Sequence, residues 1–538
     1  MRLNFDPVSR PGARRVVLGG NGACATSHPL AAAAGLAMLR AGGTAADAAV
    51  AMAAALTVVE PTSNGIGGDA FALVWAEGKL HGLNASGRSP FAASLAALKA
   101  AGHETMPVHG WWPVTVPGAP AGWHDLQARF GRLGFAEVLA PAITLAAEGH
   151  PVAPITARYW KRAARVFAAL DGPEYAGWAP TFLRHGTAPE AGERYVSEDH
   201  ARTLRALAAT DVRDFYRGRI AEGIDAFARE TGGRLTGDDL AAHENIWVEP
   251  IATAYRDSEL WELPPNGQGV VALEALGMLG GMPPPPSPRD AVGVHQAVEA
   301  IKLAFADARA VVTDPEVMPL DSEALLKPDY LARRRALIGE RAAVPRAGVG
   351  PEAGTVYLAA CDRDGMMVSY IQSNFMGFGS GVVVPGTGIA LQNRGAGFSL
   401  DPEHPNVFAG GKRSFHTIIP GFLTVGGKPA GPIGVMGGPM QPQGHVQVVR
   451  ALVDHGLDPQ AALDLPRWYW NEGLDLRLEG GEGGWSEATA DALRARGHEV
   501  TLGPEAGFFG RGQIILRLEN GVYAAGSDGR ADGEALVY

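Results

Sequence analysis

The chain has little cysteine and no surplus of basic charge. Only two of its 538 residues are cysteines, Cys24 and Cys361, and their separation fits no metal-ligand or CxxC spacing. We therefore expect both to be small core residues and not a disulfide. Acidic residues outnumber basic ones by 57 to 46, and no basic cluster carries interleaved aromatics. This charge balance argues against nucleic acid and anionic membranes as partners.

Long apolar runs and metal-binding motifs are also missing. The first residues lack the apolar stretch of a signal peptide, and the alanine-rich run 45–59 is interrupted by Asp47. We therefore predict a cytoplasmic protein without a transmembrane helix. The 15 histidines show no HExxH or similar spacing, so we expect neither a metal nor another cofactor.

The hydrophobic pattern indicates a large globular protein of mixed α/β class. Residues 27–60 predict two alanine-rich helices joined at 41–44, with Thr44 as the N-cap of the second. Helical patterns also cover 120–229, 292–312 and 441–454. Short strands are predicted at 70–75, 80–83, 355–361, 366–372, 381–384, 389–392 and 418–425. This order of elements favours helices on both faces of a mixed sheet.

Thr355 follows a stretch in which the regular pattern disappears. Residues 340–354 are rich in glycine, alanine and proline, which is typical of an exposed, cleavable connector. If the chain were cut after Gly354, Thr355 would carry a hydroxyl nucleophile and a terminal α-amine, which is a nucleophile and base in one residue. The alternative is an ordinary strand threonine.

Acyl transfer also needs donors for the developing oxyanion. Gly437 and Gly438 are the candidates, because glycine N–H groups have no side chain to block a substrate carbonyl. A turn or a point of close packing is the alternative for this pair. Ser373, at the end of the second hairpin strand, is placed to hold Thr355 in register.

Several short blocks together resemble the γ-glutamyltransferase (γ-glutamyltranspeptidase) family of N-terminal-nucleophile (Ntn) hydrolases over nearly the whole chain. They follow in the family order: Thr-Ser-His-Pro-Leu-Ala at 26–31, Ala-Gly-Gly-Thr-Ala-Ala-Asp-Ala-Ala-Val at 41–50, Glu-Pro-Thr-Ser-Asn-Gly-Ile-Gly-Gly-Asp at 60–69, Val-Pro-Gly at 116–118, Glu-Ala-Ile-Lys-Leu-Ala-Phe-Ala-Asp-Ala-Arg at 299–309, Gly-Ser-Gly at 379–381, Lys-Arg at 412–413 and Gly-Gly at 437–438. One such motif means little, but their ordered succession is specific.

The resemblance implies a four-layer αββα sandwich made from one precursor. Cleavage before Thr355 would give a large subunit, 1–354, and a small subunit, 355–538, which together form one compact unit. Thr355 would attack the Gly354 carbonyl during processing and a substrate amide afterwards. The expected partner is a small-molecule amide, and association of the heterodimers into a homo-oligomer is left open.

The substrate pocket departs from the family pattern. Arg88, in Ser-Gly-Arg-Ser-Pro, matches the family arginine that binds the substrate α-carboxylate. The family motif Asn-Asn-Glu/Gln-Met-Asp-Asp reads Gln-Asn-Arg-Gly-Ala-Gly at 392–397. Asn393 is kept, whereas Arg394 replaces an ammonium acceptor and Gly397 replaces the last aspartate. Phe375 stands at a family asparagine.

His416 and Thr417 replace the family serine pair that assists the carboxylate. Loss of an anion and gain of a cation change the preferred ligand from a zwitterion to an anion. We therefore expect hydrolysis of an amide whose acyl half bears a carboxylate and no α-amine, as in the oxamate amidohydrolase and glutaryl-type cephalosporin acylase branch. The connection from Phe398 to Lys412 is shorter than the family lid loop.

Two other functions stay open at this point: a true γ-glutamyltransferase or glutathione hydrolase, and an unprocessed paralogue that only binds ligands. For Arg88 the alternative to substrate binding is a structural ion pair. For Arg394 and His416 it is a bond to a nearby carboxylate or carbonyl. The segment 64–69 superficially resembles a phosphate loop, but we interpret it as tight packing near the site.

Overall fold

The computed structural model describes residues 14–344, 354–503 and 506–538. Residues 345–353 of the predicted connector lie outside these ranges. The α-helices are α1 Pro29–Arg40, α2 Ala45–Val59, α3 Leu95–Ala100, α4 Ala119–Phe130, α5 Phe135–Ala147, α6 Pro154–Phe167, α7 Trp178–Phe182, α8 Glu198–Thr210, α9 Arg213–Arg217, α10 Arg219–Thr231, α11 Gly237–Ala241, α12 Gly269–Gly280, α13 Ala291–Val311, α14 Pro328–Arg335, α15 Met440–Val453, α16 Pro459–Asp464 and α17 Glu487–Ala495.

The strands alternate with these helices along the chain. They are β1 Val17–Gly19, β2 Ala23–Thr26, β3 Asp69–Ala76, β4 Lys79–Ala85, β5 His150–Pro151, β6 Arg194–Tyr195, β7 Ile246–Val248, β8 Ile251–Tyr255, β9 Ser258–Glu262, β10 Gly354–Cys361, β11 Met367–Phe375, β12 Val383–Val384, β13 Ile389–Ala390, β14 Gly421–Val425, β15 Lys428–Met436, β16 Trp468–Trp470, β17 Asp475–Leu478, β18 Glu499–Leu502, β19 Arg511–Arg517, β20 Tyr523–Ser527 and β21 Glu534–Val537.

Two large sheets form the centre of the molecule. One has the strand order β21-β2-β10-β11-β3-β4-β7, and the other has the order β1-β20-β19-β15-β14-β9-β8. The central strands β10 and β11 are the predicted hairpin, and β11 also pairs antiparallel with β3. The hairpin therefore lies in the middle of its sheet, where both strands are paired on both edges.

Three apolar clusters pack the two sheets against each other and against the helices. The cluster between the sheets joins Phe71 and Tyr357 of one sheet to Phe422 and Ile515 of the other. A second cluster covers the outer face of the first sheet with α1, α2, α4, α5 and α8, and a third covers the other sheet with α12, α13 and α15. The predicted αββα sandwich is confirmed, because each sheet buries one face against the other and one against helices.

Local sequence signals explain several of these elements. Thr44 caps α2 in a capping box with Asp47, as predicted. Every residue of α2 is buried, since its many alanines let it pack closely on its neighbours. Cys24 and Cys361 are buried and not bonded to each other, as expected. Within the described residues, none of the helices has the length and apolar character needed to span a bilayer.

Three predicted strands are shorter than their hydrophobic runs. The run 418–425 is a strand only from Gly421, because the backbone N–H of Ile419 donates to the side chain of Gln441 and not to a neighbouring strand. The runs 381–384 and 389–392 form only the two-residue strands β12 and β13. Side-chain bonds to the backbone compete with strand pairing at such ends.

Candidate active site

Thr355 and Ser373 meet at the end of the central hairpin. The Thr355 hydroxyl donates to the Ser373 Oγ at 3.2 Å, and both residues are buried. The ladder has a bulge at this point, because Gly354 pairs with Phe375 and Val356 with Gln372, so two residues of β11 oppose Thr355 alone. Bulges re-aim side chains and are frequent beside active sites. The structure thus places the predicted nucleophile and the predicted positioning serine within hydrogen-bond distance.

Phe375 ends β11 in a strained backbone conformation. Its φ is +74°, which is unusual for a residue with a bulky side chain. Its backbone N–H donates to the Ser373 Oγ at 2.8 Å, so the same hydroxyl that accepts from Thr355 also holds the turn at Phe375. Backbone strain of this kind concentrates at functional sites and persists where the surroundings enforce it.

Arg394 lies over the ring of Phe375, with its guanidinium carbon 3.4 Å from the ring centroid. It is buried, and its Nη1 donates to the Thr417 Oγ1 at 2.8 Å. Within the described residues, its Nε has no hydrogen-bond partner and no carboxylate lies within 4 Å of the guanidinium. Burial lowers the pKa of Arg394 to about 9, against an opposing effect of Asp69.

Gly397 makes room for the Arg394 guanidinium. Arg394 and Gly397 begin and end one short 3-10 turn. A Cβ added at Gly397 would lie 2.9 Å from Nη2 of Arg394 and 3.1 Å from the Phe415 carbonyl oxygen. The two departures from the family motif are therefore coupled, because the arginine occupies the space that a side chain at 397 would need.

His416 pairs with a carboxylate that the sequence analysis did not select. Its Nδ1 accepts from the backbone N–H of Ile418, so Nε2 carries the proton and donates to Asp69 Oδ2 at 3.1 Å. Burial lowers the pKa of His416 to about 4, although the bond to Asp69 raises it. His416 is consequently neutral at pH 7, and both of its ring nitrogens are engaged.

Asp69 is a buried hub of this region. Its Oδ1 accepts from the backbone N–H groups of Gly87 and Gly118, each at 3.1 Å, and from Gln392 Nε2 at 2.8 Å. It also stands directly opposite Ser373 in the ladder between β3 and β11. Asp69 ends the Asn-Gly-Ile-Gly-Gly-Asp segment, but the N–H groups that it accepts from belong to Gly87 and Gly118, so the segment did not identify its partners.

Gly437 and Gly438 lie between β15 and α15. Both have positive φ, +132° and +59°, which favours glycine. The Gly438 carbonyl accepts from Gln268 Nε2 at 2.9 Å, and the same nitrogen donates to the Thr417 carbonyl at 2.6 Å. Gln268 was missed by the sequence analysis, because an isolated glutamine carries no motif. It connects the glycine pair to the residue that binds Arg394.

Two other predicted site residues have different surroundings. Asn393 is held by the backbone: its Oδ1 accepts from Met376 N at 3.1 Å, and its Nδ2 donates to Val108 O at 2.8 Å. Arg88 donates to Asp314 at 2.8 Å, to Glu316 at 2.5 Å and to the Gly411 carbonyl at 2.9 Å. The ion-pair alternative for Arg88 therefore describes its contacts in this structure. Among the described residues, the hydrogen bonds of Arg88 do not extend to Thr417, which binds Arg394.

A cavity of ≈ 260 Å³ opens beside Gly437. Its lining also includes Met376, which comes directly after Phe375. Aromatic and cationic side chains dominate the rest of the wall, namely Tyr159, Phe167, Tyr469, Phe508, His109, Arg162 and Arg511. The described residues that line it include no carboxylate, and Arg511 is paired with Glu60 at 3.0 Å. Arg88 lines a separate cavity with Arg413 and Glu316.

Comparison with known proteins identifies the family of the chain. A family model described as gamma-glutamyltranspeptidase matches residues 31–538. The glutathione hydrolase-like YwrD proenzyme of Bacillus subtilis (strain 168) is 35% identical over 97% of this chain and 99% of its own. The oxamate amidohydrolase proenzyme of Klebsiella pneumoniae is 37% identical over 96% of this chain and 98% of its own.

A solved structure extends the similarity to the whole fold. The crystal structure of cephalosporin acylase from Bacillus halodurans superposes with a TM-score of 0.95 at 52% identity, and the match covers 100% of this chain and 99% of the acylase. These matches confirm the resemblance drawn from the ordered sequence blocks and the Ntn-hydrolase fold. The chain is thus an amidohydrolase-type enzyme that belongs to the gamma-glutamyltranspeptidase family.

Proposed function

We propose that this protein is a self-cleaving N-terminal-threonine amidohydrolase that acts on amides whose acyl half carries a carboxylate. The observation that carries the substrate class is the Arg394 guanidinium, which is buried without a carboxylate partner within 4 Å among the described residues. A buried cation without a directly bonded anion is unfavourable by several kcal/mol, and Asp69 offsets this only from a distance. A substrate carboxylate beside Phe375 and Thr417 would supply that anion.

The proposed self-cleavage uses Thr355 and Gly354. The Thr355 Oγ attacks the Gly354 carbonyl carbon, and the hydroxyl proton passes to the Thr355 nitrogen as the peptide C–N bond breaks. This N→O shift leaves an ester between Gly354 and the threonine oxygen. Water then hydrolyses the ester, which yields a Gly354 carboxylate and a Thr355 residue with its own α-amine and hydroxyl.

The processed residue would then turn over substrate amides. The Thr355 α-amine accepts the hydroxyl proton as Oγ attacks the substrate carbonyl, and it returns that proton to the departing amine. The backbone N–H groups of Gly437 and Gly438 would stabilise the oxyanion. Water attacks the resulting acyl-ester, so the acid leaves and the threonine hydroxyl is restored. The Ser373 Oγ, 3.2 Å from the Thr355 hydroxyl, positions the nucleophile.

The size of the cavity beside Gly437 favours a larger leaving amine over ammonia. A water-sized molecule needs about 10–15 Å³ of such space, so ammonia would leave most of the ≈ 260 Å³ beside Gly437 unfilled. Aromatic walls and the absence of carboxylates among the described lining residues suit an apolar or anionic amine. We therefore prefer acylase-type amides over oxamate as the substrate. The similar proteins include both a cephalosporin acylase and an oxamate amidohydrolase.

A γ-glutamyl substrate is the alternative, and the glutathione hydrolase-like relative supports it. Its α-ammonium would have to lie in a region where Arg394 stands in place of an acceptor. Arg88 is the second candidate for a carboxylate, but it would first have to release Glu316, whose side chain is 68% exposed and able to turn away. The third alternative, an unprocessed binding protein, requires that Thr355 stay internal to the chain.

One experiment separates these functions. Purified protein is analysed by intact mass and by N-terminal sequencing, and the same preparation is assayed with oxamate, a glutaryl anilide and a γ-glutamyl anilide. We expect two fragments, the smaller beginning Thr-Val-Tyr-Leu, and the highest kcat/KM with the glutaryl anilide. A single intact chain without activity contradicts the enzyme, and a clear preference for the γ-glutamyl anilide contradicts the substrate class.

A further inference from the structure

A buried ion pair on α13 binds the backbone of Ala343, near the start of the predicted connector. Glu299 and Lys302 lie one turn apart, with Oε1 and Nζ separated by 2.7 Å and side chains that are only 4% and 1% exposed. The Lys302 Nζ also donates to the Ala343 carbonyl at 3.0 Å, and Glu299 Oε2 accepts from the Ala343 N–H at 3.0 Å. One ion pair therefore binds both backbone polar groups of one residue.

One turn earlier on α13, His295 binds the same segment at Gly339. His295 Nε2 lies 2.9 Å from the Gly339 carbonyl oxygen, which can only accept, so this nitrogen carries the proton. The His295 Nδ1 is then the acceptor from His498 Nε2 at 2.8 Å. The Ala342 N–H donates to the Arg496 carbonyl at 2.7 Å. Residues 339–343 are thus fixed between α13 and the segment from α17 to β18, which lies after the proposed cut.

A metal ion is a poor alternative at this place. Ligand atoms of His295, Glu299 and His498 lie within 4.8 Å of one another. The Lys302 ammonium already neutralises Glu299, however, and the two imidazoles share a hydrogen bond. Burial lowers the pKa of His498 to about 3, with Lys302 adding to the effect, so a neutral hydrogen-bonded pair suits the site. The cluster is organised around Ala343 and Gly339.

We propose that Glu299 and Lys302 are positioning residues for self-cleavage, which clamp Ala343 near the start of the connector. This inference rests on the proposed cut after Gly354. Gly354 follows Ala343 by eleven residues, and a chain of that length reaches at most about 40 Å. Gly354 is already held in β10 opposite Phe375, so a clamp on Ala343 fixes the other end of this eleven-residue stretch as well. After the cut, the same clamp would retain the new end of the first fragment.

The test compares processing rates in matched variants. The double variant Glu299→Leu/Lys302→Met removes both charges at similar volume, which avoids leaving one buried charge alone. Val298→Ala is the control, because this buried apolar side chain on the same helix cannot hydrogen-bond to either backbone group and its truncation should lower the melting temperature. Ala343→Pro is a second variant that removes the N–H donor while the ion pair stays intact. Conversion of the full chain to two fragments is followed by gel densitometry.

We expect slower conversion in both clamp variants than in the control. The effect is about twofold if the clamp only lowers the entropy cost of closing the stretch between Ala343 and Gly354, and up to about hundredfold if it also sets the attack geometry. Rates equal to that of Val298→Ala in both variants would overturn the inference. If the wild-type chain itself never divides, the proposed function fails and not the clamp alone.

Carboxypeptidase digestion of processed protein gives an independent readout. In the wild type, trimming of the large fragment should stop near Ala343, because residues 339–343 are bound on both sides. In the Glu299→Leu/Lys302→Met protein it should continue past Ala343 toward Gly339, where the bond to His295 remains, and intact mass detects this difference. Trimming to the same residue in both proteins contradicts the retaining role.

Discussion

The guanidinium of Arg394 stacks on the ring of Phe375 at 3.4 Å, directly beside the Thr355–Ser373 hydrogen bond. Ser373 connects the two, because its Oγ accepts from both the Thr355 hydroxyl and the Phe375 backbone. The nucleophile and the cation proposed to select the acyl group are therefore joined through one serine and one strained residue. A change at either end of this chain of contacts should alter both rate and specificity.

Arg394→Gln should reduce kcat/KM for a glutaryl anilide by about tenfold to hundredfold. The reason is loss of a charged hydrogen bond, which contributes about 1.5–3 kcal/mol. An uncharged butyryl anilide should be affected much less. Arg309→Gln is the control, since Arg309 is also a largely buried arginine stacked on an aromatic ring, Phe305, but on α13. Equal losses on both substrates would contradict a role in binding the carboxylate.

Gly397→Asp should inactivate the enzyme toward carboxylate-bearing amides. A side chain here meets Arg394 Nη2, and an aspartate would neutralise the guanidinium that we assign to the substrate. We expect kcat/KM for the glutaryl anilide to fall at least about tenfold. In the double variant Arg394→Asn/Gly397→Asp, the ratio of γ-glutamyl to glutaryl activity should rise. Steady-state kinetics with both anilides measure this ratio, and an unchanged ratio contradicts the coupling of the two positions.

The sequence predicted most of the local elements and the residues around the nucleophile. Thr44 and Asp47 form a capping box because their spacing of three residues is itself the signal. The hairpin of β10 and β11 follows from two apolar runs flanking an Asp-Gly turn. These features depend on neighbours in sequence. Ser373 was predicted from its place at the end of the second hairpin strand, and Gly437 and Gly438 from their consecutive unhindered N–H groups; the family blocks then placed the glycine pair in the family order.

Partners that are distant in sequence were not predictable. His416 and Asp69 are 347 residues apart, and Arg88 and Asp314 are 226 apart, so only the folded chain shows that both pairs are bonded. The same holds for Gln268, which donates to carbonyls 149 and 170 residues away. Charge and residue type indicated that Arg88 and His416 need partners, but they did not identify them.

Gln268→Ala should lower kcat with little change in KM. The Gln268 amide fixes the Gly438 and Thr417 carbonyls, and its loss leaves two buried carbonyls without this donor. Displacement of the proposed oxyanion donors would weaken transition-state binding selectively, by about tenfold or more. Gln460→Ala is a control, because Gln460 also donates a buried amide to a carbonyl, that of Ser527, away from the glycine pair. Equal kcat in both variants would contradict the positioning role.

Thr355→Ala should remain a single chain, and it supplies a background in which to measure acid stability. Burial lowers the pKa of His28 to about 3 and the pKa values of His200 and His416 to about 4, from 6.5. The unfolded chain then binds more protons, so stability is complete above pH 6.5 and falls as the pH drops toward 4. Each fully buried histidine with a pKa near 4 contributes up to about 3 kcal/mol to this loss.

Urea unfolding of the Thr355→Ala chain at pH 7.5, 6 and 5 measures the dependence. The further change His416→Gln removes one of these protonation sites, so the free energy of unfolding should fall less steeply with acid than in the Thr355→Ala parent. Identical slopes would mean that His416 is not held neutral in the folded state. Comparison within one background cancels the contribution of the carboxylates.

Ala163→Trp should separate substrates by the size of their leaving amine. Ala163 lines the cavity beside Gly437 and packs among aromatic residues, so a tryptophan there fills part of the ≈ 260 Å³. If the departing amine occupies this cavity, KM for a glutaryl anilide should rise by about tenfold or more, since a poorly fitting ring loses roughly the free energy of a buried side chain. The primary amide glutaramate has no ring to place there and should keep its kcat/KM. Each substrate thus serves as the other's control within one variant. Equal loss on both amides would place the amine elsewhere and would favour a small-amide function such as oxamate hydrolysis.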